Sequence, residues 1–144
     1  MTHKDTGHYA GKRSGAKLDE TVAAKIKEKI SENKISCAEA HGISMELNAT
    51  PADVGTAIDL LEVRIIKCQL GLFGYGKEKN IPVLSDKVNP DIELAIRSSL
   101  VNERLACSSA WEIAKKYKVS RPMIAAVCET MKVKIFPCQL GAFG

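Results

Sequence analysis

The chain contains one stretch of sequence twice. Residues 68–74 read Cys-Gln-Leu-Gly-Leu-Phe-Gly, and residues 138–144 read Cys-Gln-Leu-Gly-Ala-Phe-Gly. A constant offset of 70 residues then aligns 18–74 with 88–144 without a gap. Because a repeat restricts a chain to architectures that use the same supersecondary unit more than once, we expect two units of the same fold, at 18–74 and 88–144.

The remaining residues divide into a tail and a linker. Residues 1–17 are rich in Gly, Ser, Thr, Lys and His and show no apolar period, so a disordered basic tail is predicted. Residues 75–87 are polar and contain proline, which predicts a short linker. A unit of roughly 55 to 60 residues is only marginally stable alone, so we expect the two units to pack together as a pseudo-twofold pair.

Each unit predicts three helices and a short strand. Apolar residues recur at helical spacing in the first helix, as at Val22 and Ile26. Ser36 and Glu39 are spaced as a capping box at the second helix, and Thr50 or Ser120 is an N-cap type before the third. β-branched runs then predict a strand that pairs with the segment before the second helix, or with its counterpart in the other unit. The predicted fold class is mainly α with short β-strands.

The order of helix, tight turn and capped helix is typical of a known superfamily. Residues 110–120 read AWEIAKKYKVS, which resembles the A-x-x-I-A-x-x-x-x-V-S signature of helix-turn-helix proteins. The first copy keeps Ala40 and Ile43 of this pattern and matches it less fully. The resemblance implies two tandem, winged-helix-like helix-turn-helix units.

This resemblance implies a small DNA-binding protein that regulates transcription, because the third helix of such a unit enters the major groove. A cytoplasmic location is expected because the polar N-terminus has no signal-peptide core. Residues 18–74 carry six basic and nine acidic side chains, whereas residues 75–144 carry eleven basic and seven acidic ones. The second unit is therefore expected to contact DNA. The side chains expected at that contact are Lys115, Lys116, Lys118, Ser120, Arg121 and Lys132.

A second interpretation stays open at this point. The third helix of the first unit has acidic side chains and no basic one, which disfavours DNA there. The duplicated fold is then a protein-interaction or assembly module without DNA binding, whose partner is another protein or a second copy in a homodimer.

Four of the five cysteines are duplicated between the copies. Cys37 aligns with Cys107 and Cys68 with Cys138, so each pair is a candidate metal-binding or redox site. The spacing is not C-x-x-C, and inert buried thiols are the alternative. Cys128 aligns with an apolar position and is expected in the core.

Other functional classes have no signal in this sequence. No nucleophile stands beside an evident base, no carboxylate pair repeats in both copies and no cofactor fingerprint occurs, so we expect neither an enzyme nor a bound cofactor. No apolar run approaches the roughly 18 residues that a membrane helix needs, so a soluble protein is expected. The glycines of the repeated Cys-Gln-Leu-Gly segments are interpreted as turn residues.

Overall fold

The computed structural model describes residues 9–13, 15–76, 79–84 and 87–142, and within them the chain is mainly helical with four short strands. This confirms the coarse fold class. In chain order the elements are a 3-10 helix at Tyr9–Arg13, α1 (Glu20–Lys29), β1 (Lys34–Ser36), α2 (Cys37–Leu47), α3 (Pro51–Leu60), β2 (Arg64–Ile66), α4 (Pro90–Ser99), β3 (Arg104–Leu105), α5 (Cys107–Tyr117), α6 (Arg121–Met131) and β4 (Lys134–Ile135).

The described residues form two compact units. Residues 9–68 and 139–142 belong to the first unit, and residues 69–138 belong to the second. The sequence predicts units at 18–74 and 88–144. In the structure each Gln-Leu-Gly turn is grouped with the unit that the other repeat forms.

Side-chain caps define where the helices begin. In α2 the predicted capping box is confirmed, since Ser36 Oγ accepts from the Glu39 backbone N–H and the Glu39 carboxylate accepts from the Ser36 N–H. Thr50 Oγ1 accepts from the Asp53 N–H at 3.0 Å and caps α3. These bonds satisfy amide groups that the first helical turn leaves without partners.

The strands of each unit pair in parallel. Ile35 of β1 lies opposite Ile65 of β2, and Leu105 of β3 lies opposite Ile135 of β4. This confirms the first of the two expected pairings, with the segment that precedes the second helix. Each connection between paired strands contains two helices, as parallel strands require a crossover.

The core of each unit consists of branched aliphatic side chains from its three helices and its strands. In the first unit the fully buried residues include Ile26, Ile35, Ile43, Val54 and Ile58. In the second unit they include Ile96, Leu105 and Ile124. The helical spacing in the sequence predicts these contacts with the core.

Part of the predicted tail, residues 9–13 and 15–17, lies within the described residues. Tyr9–Arg13 forms a 3-10 helix, and Tyr9 is buried. The backbone N–H groups of Tyr9 and Ala10 donate to the two carboxylate oxygens of Glu62, at 2.9 and 3.0 Å. The acidic end of α3 therefore supplies acceptors for backbone donors that a short helix leaves unsatisfied. Residues 1–8 and Ser14 lie outside the described residues.

The Gln-Leu-Gly turn of the second repeat packs against α3. Leu140 is 1 % exposed, and a Cβ at Gly55 would overlap its carbonyl group. Arg13 Nη2 donates to that same carbonyl at 3.3 Å, while Arg13 Nε donates to the buried Asp59 at 2.8 Å. The missing side chain at Gly55 thus lets the turn approach the backbone of α3.

No helix among the described residues has both the length and the apolar character that crossing a membrane requires.

We predict that Gly55→Ala lowers the free energy of unfolding by about 1–3 kcal/mol, because the added methyl group overlaps the Leu140 carbonyl. The matched control is Gly42→Ala in the interior of α2, where a Cβ meets nothing within 4 Å. That change should instead raise stability by about 0.5–1 kcal/mol. Urea denaturation followed by circular dichroism measures both, and equal effects at the two glycines would contradict the packing described here.

Candidate nucleic-acid interface

Three of the predicted site residues form an exposed basic cluster at the end of α5. Lys115 and Lys116 lie in its last turn, and Lys118 follows as the C-cap residue in the left-handed conformation, with φ of 55°. All three are exposed. The cap bonds involve the backbone N–H of Lys118, so its ammonium group is not part of them. This cluster, residues 115, 116 and 118, can contact phosphates but has no groove-reading geometry of its own.

Ser120 has a structural role in the second unit. It is the N-cap of α6, and its Oγ accepts from the Met123 backbone N–H at 3.3 Å. This bond satisfies a backbone donor in the first turn of α6.

Arg121, the first residue of α6, is held by two other side chains of the same unit. Its guanidinium carbon lies 3.6 Å from the centroid of the Trp111 ring, a cation–π contact. Its Nη1 donates to Gln69 Oε1 at 2.9 Å. The side chain is therefore positioned by α5 and by the turn rather than extended into solvent.

Lys132 does not join the other site residues. It is the C-cap of α6, at the opposite end of the helix from Arg121. Since a helix rises about 1.5 Å per residue, the two residues are roughly 16 Å apart along the axis. One contact surface at the start of α6 cannot include both.

The middle of α6 is covered on all sides. Five consecutive residues, 124–128, are buried, and they span more than one helical turn. The row Arg121, Ala125 and Glu129 forms one flank of the helix, and Glu129 at its end remains exposed. Arg121 binds Gln69, Ala125 is fully buried, and Glu129 pairs with Lys79 at 3.0 Å.

The corresponding flank of α3 is also covered. Gly55 lies under Leu140, and Asp59 is 3 % exposed and paired with Arg13. Glu62, just beyond the helix, binds the 3-10 helix. Among the described residues, the middle of each third helix is therefore largely buried, and the ends are partly exposed.

A shallow groove brings two of the predicted residues together. It has a volume of about 280 Å³, and its lining includes Trp111, Lys115, Val119 and Arg121. The structure thus groups Lys115 and Arg121 at the α5–α6 turn, while Lys132 lies away from them.

The duplicated cysteines are placed beside the paired strands. Cys37 and Cys107 each begin the second helix of their unit, and Cys68 and Cys138 each follow the second strand. All five cysteines are described, and none of them forms a disulfide there. Among the described residues no group of three or more His, Cys, Asp or Glu side chains is arranged to hold a metal ion.

Sequence reasoning missed the contacts that hold Arg121. Trp111 and Arg121 are ten positions apart, and Gln69 lies in the preceding repeat. The available signal was the pair of alanines at 125 and 126, since small residues in a helix permit close approach of other chain segments.

No protein-family model, curated protein or solved structure matches this chain.

We predict that Cys128 resists alkylation in the folded protein. Burial raises the pKa of its thiol to about 11, so at pH 8 only about one molecule in a thousand carries the reactive thiolate. Mass-spectrometric mapping after iodoacetamide treatment should show Cys138, which is half-buried, modified first. In urea Cys128 should react readily, and rapid labelling of Cys128 in the native protein would contradict its placement in the core.

Proposed function

We propose that this chain is a protein-interaction or assembly module built on tandem helix-turn-helix units, and that it does not read DNA sequence. The observation that carries this proposal is the covered third helix of each unit. A helix that reads bases must present polar side chains to the major groove along an open face.

The residues available at the third helices support this view. The only basic side chains of α6 and its caps are Arg121 and Lys132, at opposite ends. Arg121 is bound by Trp111 and Gln69. If the Arg121 side chain moved to a base edge, it would lose the cation–π contact with Trp111 and the hydrogen bond to Gln69. The third helix of the first unit, α3, has no basic residue.

An open groove between α4 and α5 supplies a surface for a partner. Its volume is about 410 Å³, and Leu94 lines it while remaining 63 % exposed. Ile113 and Tyr117 also line it, and Glu112 and Lys116 provide charges of both signs. An apolar side chain at the centre of a polar-rimmed groove is typical of protein interfaces.

We predict that Leu94→Glu abolishes the complex that the wild-type chain forms. Apolar contacts are not screened by ions, so the wild-type complex should persist at about 1 M salt. Affinity purification of the tagged full chain from the cells that make it, followed by sedimentation velocity, measures this. The matched control is Val101→Glu, which changes another exposed apolar residue that does not line the groove. Loss of the complex in both variants, or in neither, would contradict this assignment of the groove.

A second candidate function, sequence-independent binding of nucleic acid by the second unit, is favoured by the exposed lysine cluster at 115, 116 and 118. Phosphate contacts of this kind release counterions, so affinity falls steeply with salt and does not depend on base sequence.

If this second candidate is correct, the triple variant Lys115→Glu, Lys116→Glu, Lys118→Glu should abolish binding to a fluorescent duplex in an anisotropy titration. Removing single lysines should lower the slope of log affinity against log salt by about 0.9 each. The matched control reverses the exposed Lys17, Lys27 and Lys29 of the first unit. Equal binding by the wild type and the triple variant would exclude the cluster, and strong preference for one duplex sequence would contradict the main proposal.

A further inference from the structure

We infer that the surface of α3 around Gly55 is a docking slot for a Gln-Leu-Gly turn, and that a second copy of this chain can supply that turn. The slot is formed by Gly55, Asp59 and Arg13, and within the chain it receives residues 139–142. This inference goes beyond the proposed function, because it concerns a surface other than the groove between α4 and α5 and identifies the partner.

The slot is fitted closely to its occupant. The Leu140 side chain is almost fully buried, and its carbonyl lies where a Cβ of residue 55 would be. Arg13 donates to that carbonyl and is itself oriented by Asp59. Gly141 has φ of +74°, and a Cβ there would meet the Arg13 guanidinium. Gly55 is thus required by the approach of the Leu140 backbone, and Gly141 is favoured by its left-handed backbone conformation.

The other Gln-Leu-Gly turn is grouped with the second unit. Leu70 is fully buried, and Gln69 binds Arg121 at the start of α6. The Gly71 carbonyl accepts from the Asn80 N–H at 2.8 Å. The turn is therefore a docking element in both units, and in each case the unit takes the turn that belongs to the other repeat.

Docking of a turn from another repeat has the same contacts whether or not the two repeats share a chain. Exchange between two copies changes only the connection and the effective concentration of the turn. Three residues, 136–138, connect β4 to the turn, and a short hinge of this kind favours exchange. The Gln-Leu-Gly turn of a second copy has the same residues as the turn that fills the slot within one chain, so a second copy is the partner that we infer.

The experiment mixes two full-length variants of different mass. Leu140→Arg leaves the slot open, because an arginine cannot occupy the buried leucine position. Gly55→Leu blocks the slot and leaves an intact turn undocked. Native mass spectrometry of the mixture should show a heterodimer in which the turn of the second variant fills the slot of the first.

The matched control mixes Leu140→Arg with the double variant Gly55→Leu, Leu140→Arg, which has no turn to donate. The control should contain no heterodimer. An equal amount of heterodimer in both mixtures, or none in the first, would overturn the inference. Neither result bears on the groove, whose test changes Leu94.

A second measurement uses the wild-type chain in case the variants do not fold. The chain is refolded from urea at high concentration, with or without an excess of a synthetic peptide of residues 134–144. Exchange predicts dimers that the peptide suppresses and that a scrambled peptide does not. Dimers that are insensitive to the peptide, or an absence of dimers, would overturn the inference.

Discussion

The contact between Leu140 and the bare backbone of Gly55 determines which residues form the first unit. Burying a leucine side chain stabilises a fold by about 1.5–3 kcal/mol, and here that gain depends on a helix position without a Cβ. The same contact places the Leu140 carbonyl within reach of Arg13, which in turn neutralises the buried Asp59. Arg13 is the last residue of the 3-10 helix, so these contacts hold that helix and residues 139–142 against α3.

The local features of the fold could be predicted from the sequence. The spacing of Val22 and Ile26 and the capping box at Ser36 both appear in the structure. Each depends on residues close in sequence or on a pattern that both copies share. The pairing of β1 with β2 is one of the two pairings that the sequence left open. The destination of each turn could not be predicted, since the alignment of the repeats is the same whether a turn docks on its own helix or on the other one.

In the candidate site, too, some features could be predicted from the nearby sequence and others depend on distant residues. Lysines 115, 116 and 118 are exposed, as their positions on an amphipathic helix indicate. Arg121 differs because its surroundings come from Trp111, ten residues earlier, and from Gln69, 52 residues earlier. A resemblance to helix-turn-helix proteins describes the order of the helices, but it contains no information about a segment that later packs against them. The function of such a unit depends on that covering segment as much as on the helices.

Position 55 is glycine and the aligned position 125 is alanine. The Leu140 backbone therefore comes closer to α3 than a methyl group, such as the one at position 125, would permit. This difference of one methyl group gives the duplicated halves separate identities. The two halves of the repeat are thus unequal as receivers of a turn, because only α3 has a position without a Cβ at that point.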